Sequence, residues 1–431
     1  MRQRFIFFIA FMAMLVSFAS CNSEMELVVR TDNPGTFVGR DEARADLENL
    51  LDAVDKHSSR AIGSGRRRIS NEYTLSKSML TRSGNNDSIS LYVFNFENEQ
   101  GYALMSGDNR LPSLLVLTEE GNLDPENENI TNAGVVSFYE GLDDVIKDLT
   151  PLPETPVSPY LEEFDTYGPW ENIIHGGSPF CKVKWGQETP YNKVVKELHG
   201  GEEVATGCVA TAVAQLMSVY QYPPTYDGHI FNWERMTSQK YASYCTEGIQ
   251  DQIAMLMAQL GLHKHLDVTY RTIKKGGSPA NQENIPRTLK SMGYSSGGSL
   301  TVFNSSKIIE ELKNGFPVLV TGYCYRSRVD ILGVKFSYTY EVGHEWLAHG
   351  LLERKREKRR HDKNGDVIFT TTESVYYPLY NWGWDGKYDG YYLVSTFDPK
   401  NGFDYSESTR GKEGEEDNYQ FNTQIVTGIR K

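Results

Sequence analysis

The sequence predicts an α+β protein in two parts: a small α+β domain, then a larger α+β domain whose helices precede an antiparallel sheet. Three observations carry this. Residues 151–160 (PLPETPVSPY) hold four prolines and no periodicity, the composition of a linker. Before that stretch, two helical patterns flank short alternating runs. Beyond it, helical patterns give way from about residue 316 to Val-, Tyr-, Phe- and Trp-rich alternation. A length of 431 residues also favours two domains over one.

Taken in order, the chain opens with Arg2 and Arg4 ahead of an apolar run over 5–19, too short with its flanks to span a bilayer and therefore read as a signal peptide. Ala19-Ser20 directly before Cys21 resembles the lipobox of bacterial lipoproteins, with Phe18 where that motif usually carries Leu. The expectation is a leader over 1–21, acylation of Cys21, and export to the bacterial cell envelope, with outer-membrane lipid as a partner. Residues 22–40 read as a tether. Leu47, Leu50, Leu51 and Val54 lie at helical spacing, 90–96 and 101–106 read as two strands joined by a short turn, 113–118 as a third, and 135–149 as a helix. The first domain is thus 22–150, the linker with its expected activation cut 151–175, and the second domain 176–431. In the latter, helices are expected at about 208–220, 249–260, 284–292 and 306–314, and Asn364-Gly365 marks a hairpin turn.

A net charge of −13 gives no electrostatic reason to bind nucleic acid. The basic run over 354–360 reads as the solvated face of the hairpin. The cysteines are 21, 181, 208, 245 and 324; none has CxxC spacing, so neither a zinc site nor a disulfide framework is indicated. No coiled coil or large apolar patch is evident, and a monomer is expected.

Four segments carry chemistry. In VATGCVATAVAQLM (204–217), Thr206-Gly207 turns into a helix that is apolar nearly all round, placing Cys208 in its first turn, where the helix dipole favours the reactive thiolate. The other reading of Cys208 is a plain core cysteine. His344, behind Gly343 at the start of a strand pattern, is the candidate base; His349, an odd step away, should face the other side. In NWGW (381–384), Asn381 could orient the imidazole through its side-chain oxygen, and Trp382 and Trp384 would shield that contact. Gln187, in WGQETPYN, could donate to an oxyanion beside the backbone N–H of Cys208.

Together these segments resemble the streptopain family of cysteine peptidases, which have the papain-like arrangement. The similar residues are Gln187, Pro190, Tyr191 and Asn192; GCVATAVAQLM at 207–217; Gly343, His344 and Trp346; and Asn381-Trp382-Gly383-Trp384. The 136 residues between Cys208 and His344 also fit the roughly 130–150 of papain-like enzymes. The likeness covers about 175–400, and GYALMSGDNRLPSLLVL at 101–117 resembles the family's inhibitory propeptide. The resemblance implies a papain-like peptidase domain, with a helical and an antiparallel-sheet subdomain, made as a zymogen. It implies Cys208 as nucleophile, His344 as general base and acid, Gln187 in the oxyanion hole, and Asn381 and Trp382 supporting the imidazole. It further implies endopeptidase action on protein substrates, with a leaning to apolar residues two positions before the cut, the propeptide as intramolecular inhibitor, and no metal or organic cofactor. His349 departs from the acidic residue often found there, and the segment between His344 and Asn381 is long. The rival readings are a catalytically silent surface binding protein and an inhibitor acting through the N-terminal domain.

Overall fold

The computed structural model describes residues 37–57, 66–80, 86–125, 132–148, 163–176, 179–272, 277–323, 328–331, 334–337, 343–397 and 423–431. The expected leader, Cys21, Cys324 and the proline-rich stretch 151–160 lie outside them.

The N-terminal unit comprises α1 (Arg40–His57), β1 (Ile69–Leu80), β2 (Asn86–Phe96), β3 (Tyr102–Ser106), β4 (Leu114–Thr118) and α2 (Ala133–Asp148). Leu47, Leu50, Leu51 and Val54 of α1 are all buried, the outcome their spacing predicts. Next come β5 (Glu163–Tyr167) and β6 (Glu171–His175), then α3 (Lys193–Leu198), α4 (Cys208–Tyr220), α5 (Glu247–Gly261) and α6 (Ile285–Ser291). The C-terminal part adds β7 (Ser296–Val302), α7 (Ser305–Lys313), β8 (Val318–Tyr323), β9 (Gly343–Asp362), β10 (Val367–Asn381), β11 (Gly390–Tyr392) and β12 (Gln424–Arg430).

These twelve strands join one sheet, ordered β1-β2-β3-β4-β11-β10-β9-β8-β12-β7, with β5 and β6 on the far end of β9; two short strand pairs, 225–226 with 229–230 and 328–331 with 334–337, stand apart from it. The two units are therefore not separate bodies on a tether. β4 pairs antiparallel with β11, Leu117 opposite Tyr391, so the sheet of the first unit continues into that of the second. Two cores flank it. One holds α1, α2 and residues such as Phe138, Trp346, Trp382 and Tyr392; the other holds α4, α5 and α6 against Leu319, Leu347 and Val426.

Two expectations are corrected. Residues 163–175 fall in the expected linker 151–175, yet 163–167 and 171–175 are strands on the edge of β9. The basic run is also not a solvated face. Arg354 is fully buried, bonded to Asp46 of α1, Asn172 and Ser113, and lies over the Trp170 ring. Arg356 stacks on Tyr167 and Trp170, Lys358 pairs with Asp165, and Arg360 pairs with Glu163 and Asp165. Alternating residues of a strand share a face. The cations at 354, 356, 358 and 360 thus form one row, which the acidic and aromatic residues of 163–175 cover.

Candidate active site

Cys208 opens α4, whose residues from Val209 to Ser218 are buried. Gly207 turns the chain into the helix with φ +91°, a conformation that L side chains rarely adopt. An added Cβ there would sit 2.5 Å from the Ser278 carbonyl oxygen, so glycine is required twice over. Thr211 Oγ1 donates to the Gly207 carbonyl at 3.0 Å and lies 2.9 Å from Thr206 Oγ1, fixing the turn. No side chain caps the helix, which leaves its first N–H groups available at the thiol. Gln187 runs alongside: its carbonyl accepts the Thr206 N–H at 3.0 Å, two residues before the nucleophile candidate.

The strand facing Cys208 is β9. His344 pairs with Gly322 of β8, and Glu345 with Thr321. Consecutive strand residues point to opposite faces, and this decides the site. The Glu345 backbone N–H approaches Cys208 Sγ on the α4 side and favours its thiolate. The His344 ring lies on the other side, against the neighbouring Trp346 and Trp382 rings, with centroids 6.2 and 6.4 Å away and planes inclined by 16° and 29°. Its Nε2 donates to the Trp382 carbonyl at 2.8 Å. No hydrogen bond joins Cys208 to His344 among the described residues.

The N-terminal unit occupies the space over the imidazole. Asn132 Nδ2 reaches to 3.5 Å of His344 Nε2, while Asn132 Oδ1 accepts the N–H groups of Gly134 and Val135 and caps α2. A Cβ added to Gly134 would collide with the Trp382 ring and stand 3.2 Å from His344 Cδ2. Burial depresses the His344 imidazole to about 4, against the opposing bond to the Trp382 carbonyl. Burial also pushes the Cys208 thiol up to about 11; the N–H of Glu345 works against the rise and the charge of Glu345 adds to it. The helix dipole was expected to favour a thiolate, but in this covered state desolvation outweighs it. Thiol and imidazole are both neutral here.

Asn381 is placed differently from expectation. Its Oδ1 accepts from Gln215 Nε2 at 2.7 Å and from the Gly383 N–H at 3.0 Å, and its Nδ2 donates to the Val183 carbonyl at 2.8 Å. Asn381 is paired with Leu347 in register, so it shares the α4 face, opposite to His344. Trp382, one residue on, takes the His344 face and meets the ring with both its indole and its carbonyl. Trp384 is partly buried and makes no ring contact with His344 among the described residues. His349 faces Cys181, whose backbone N–H donates to its Nδ1 at 3.3 Å. Cys181, Cys208 and Cys245 are free thiols.

Three further residues belong to the site and escaped the sequence reading. Asn132 was legible as an N-cap ahead of an amphipathic helix, although its reach to His344 was not. Glu345 and Thr321 carry no sequence signal beyond strand parity. Glu345 is buried, its Oε2 accepts the Thr321 hydroxyl, and burial pushes its carboxyl up to about 8 against that bond.

Residues 185–392 match the Peptidase C10 family and residues 36–146 the Spi protease inhibitor family. The chain is 27% identical over 159 residues to thiol protease/hemagglutinin PrtT of Porphyromonas gingivalis, which covers 34% of this chain and 17% of that protein. It is 29% identical over 142 residues to streptopain of Streptococcus pyogenes, 31% of this chain and 33% of that one. The matched stretches thus span a third or less of these relatives' own length. Among solved structures, a prointerpain A fragment of Prevotella intermedia is similar with a TM-score of 0.47 and 20% identity, covering 85% of this chain and 99% of that chain.

Proposed function

We propose, from a chain whose residues 185–392 belong to the Peptidase C10 family and whose residues 36–146 belong to the Spi protease inhibitor family, a cysteine endopeptidase held as a zymogen by its own N-terminal unit. The observation that carries the proposal is the seat of α2 on His344. Asn132 and Gly134 meet the imidazole on one face of β9 while Cys208 waits on the other. An N-terminal unit so placed keeps base and nucleophile apart.

In the active form, once α2 leaves, the ring turns toward Cys208 and takes the thiol proton, giving a thiolate beside an imidazolium. The thiolate attacks a peptide carbonyl carbon, and the C–S bond forms as the oxygen takes up negative charge. Gln187 and the Cys208 backbone N–H hold that oxyanion. His344 gives its proton to the leaving amine as the C–N bond breaks, then takes one from the water that attacks the thioester and releases Cys208. Trp382 holds the imidazole through its carbonyl and ring, and Asn381 serves the scaffold beneath. Substrates are proteins or peptides, and no metal or organic cofactor enters the scheme. The chain is exported by its leader and anchored through acylated Cys21, with the activating cut in the linker that follows the N-terminal unit. It acts as a monomer.

The test is labelling with an epoxide inhibitor of thiol peptidases before and after limited proteolysis between the units, with the adduct located by peptide mass spectrometry and Cys208→Ala as control. Labelling of Cys208 after the cut, in step with casein hydrolysis, is expected. An unlabelled Cys208 and intact casein after the cut would overturn the proposal in favour of a silent binding protein or an inhibitor.

A further inference from the structure

We propose that Glu345 is a specificity-determining residue that takes the cationic end of a substrate arginine or lysine side chain. The residues that would seat that side chain form a polar row leading away from Cys208. The inference rests on the peptidase reading and adds a substrate class to it.

The row follows from register. Glu345 stands opposite Thr321 of β8, Thr321 opposite Gln424 of β12, and Gln424 opposite Val302 of β7. Directly opposed residues project from the same face of a sheet. The next row on that face is Leu347, Leu319, Val426 and Leu300, all apolar and packed in the core that holds α4 and α5. The face therefore changes from wholly apolar to a row of Glu345, Thr321 and Gln424 ending in Val302, level with Cys208, whose thiol the Glu345 backbone N–H approaches. Exposure rises along the row, from 1% at Glu345 and 4% at Thr321 to 73% at Val302. Gln424, half-buried between them, accepts from the Gln282 side chain at 3.0 Å. The row thus runs from the nucleophile to the surface.

Glu345 is the one charged member of the row, and it is half-satisfied. Oε2 accepts the Thr321 hydroxyl, whereas Oε1 is buried with no partner among the described residues. Buried carboxyl oxygens are nearly always paired, and an unpaired one beside a nucleophile points to a donor brought by a ligand. A guanidinium or ammonium supplies that donor and draws the acid into its charged form. Its methylene stem fits along Thr321 and Gln424. An apolar side chain would leave Oε1 unpaired and meet polar neighbours, so the leaning to apolar residues implied by the family resemblance should not hold at this position.

The experiment is a positional scan on the cleaved full chain, using fluorogenic peptides that differ only in Arg, Lys, Gln or Leu at each of the three positions before the cut, with Cys208 labelling followed alongside. The expected result is that, at one position, Arg or Lys exceeds Leu in kcat/KM by about tenfold or more, the discrimination of a site built to pair a substrate donor. In Glu345→Gln, which can still accept from Thr321, that ratio should fall toward one. The scan on the unaltered chain needs no variant to fold. Cleavage of the Leu peptides with no basic preference at any position would overturn the proposal while leaving the peptidase reading standing. So would equal loss on Arg and Leu peptides in Glu345→Gln. No cleavage of any peptide, with Cys208 unlabelled, would overturn both.

Discussion

At the scale of single residues, the chemistry of this site is governed by which face of β9 a side chain takes. Asn381 lies on the α4 face and satisfies Gln215, Val183 and Gly383 there. Asn381→Ala strands those groups in the core, at a cost of about 1–3 kcal/mol for each one left unpaired. A fall of several degrees in Tm is expected, with the pH profile of the remaining peptidase activity unmoved; a shifted profile at unchanged Tm would assign Asn381 to the imidazole instead. Glu345 gives a second prediction. Its carboxyl is raised from the ordinary 4.5 to about 8 by burial, so the folded chain holds a proton that the unfolded chain has released across that window. Stability from this group is full below 4.5 and is lost as pH rises toward 8. Glu345→Gln should therefore gain in Tm relative to the parent as pH rises through that range, and parallel Tm–pH curves would refute the assignment.

At the scale of elements, α2 is the part that lies over His344, and it does so with its N-terminus. Gly134 is helical, so alanine there favours the helix itself. Yet the added methyl collides with Trp382 and crowds His344. Gly134→Ala should leave the N-terminal unit folded but poorly seated. The expected outcome is epoxide labelling of Cys208 in the uncut chain several-fold faster than in the parent. Unchanged labelling would mean that α2 does not control access. The reading of the sequence succeeded where an element's own pattern decides it: α1, α4 and β2 to β4 fall where their periodicity placed them. It failed at β5 and β6, which alternate weakly and exist because β9 offers an open edge and a row of cations.

At the scale of the whole molecule, the N-terminal unit is bound by more than the linker. β4 extends the sheet through β11, the Glu119 N–H donates to the Asp389 carbonyl, and Lys184 Nζ pairs with Glu119 at 2.9 Å and Glu120 at 2.8 Å. Lys184 is buried, and removing one partner of such a cluster costs about 2–5 kcal/mol at an interface. After the linker is cut, the two pieces should stay together on size-exclusion chromatography at high concentration and part on dilution, the condition under which Cys208 becomes labelled. Lys184→Ala should release the N-terminal piece at a concentration where the parent remains associated. Co-elution of the variant under all conditions would show that the sheet seam alone holds the pieces.

What the sequence determined by itself was the set of local patterns and the four motif segments, because helix periodicity, turn chemistry and a glycine before a nucleophile are written in neighbouring residues. From these came the expectation of two units and a linker, and Cys208, His344, Gln187, Asn381 and Trp382 as site candidates. What only the tertiary structure decided was which of them meet. The parity of β9 sends His344 and Glu345 to opposite faces, the register of β10 puts Asn381 on the side away from the imidazole, and the β4–β11 seam brings Asn132 onto His344 from 212 residues away. Such contacts depend on strand pairing between distant segments, which no local pattern records.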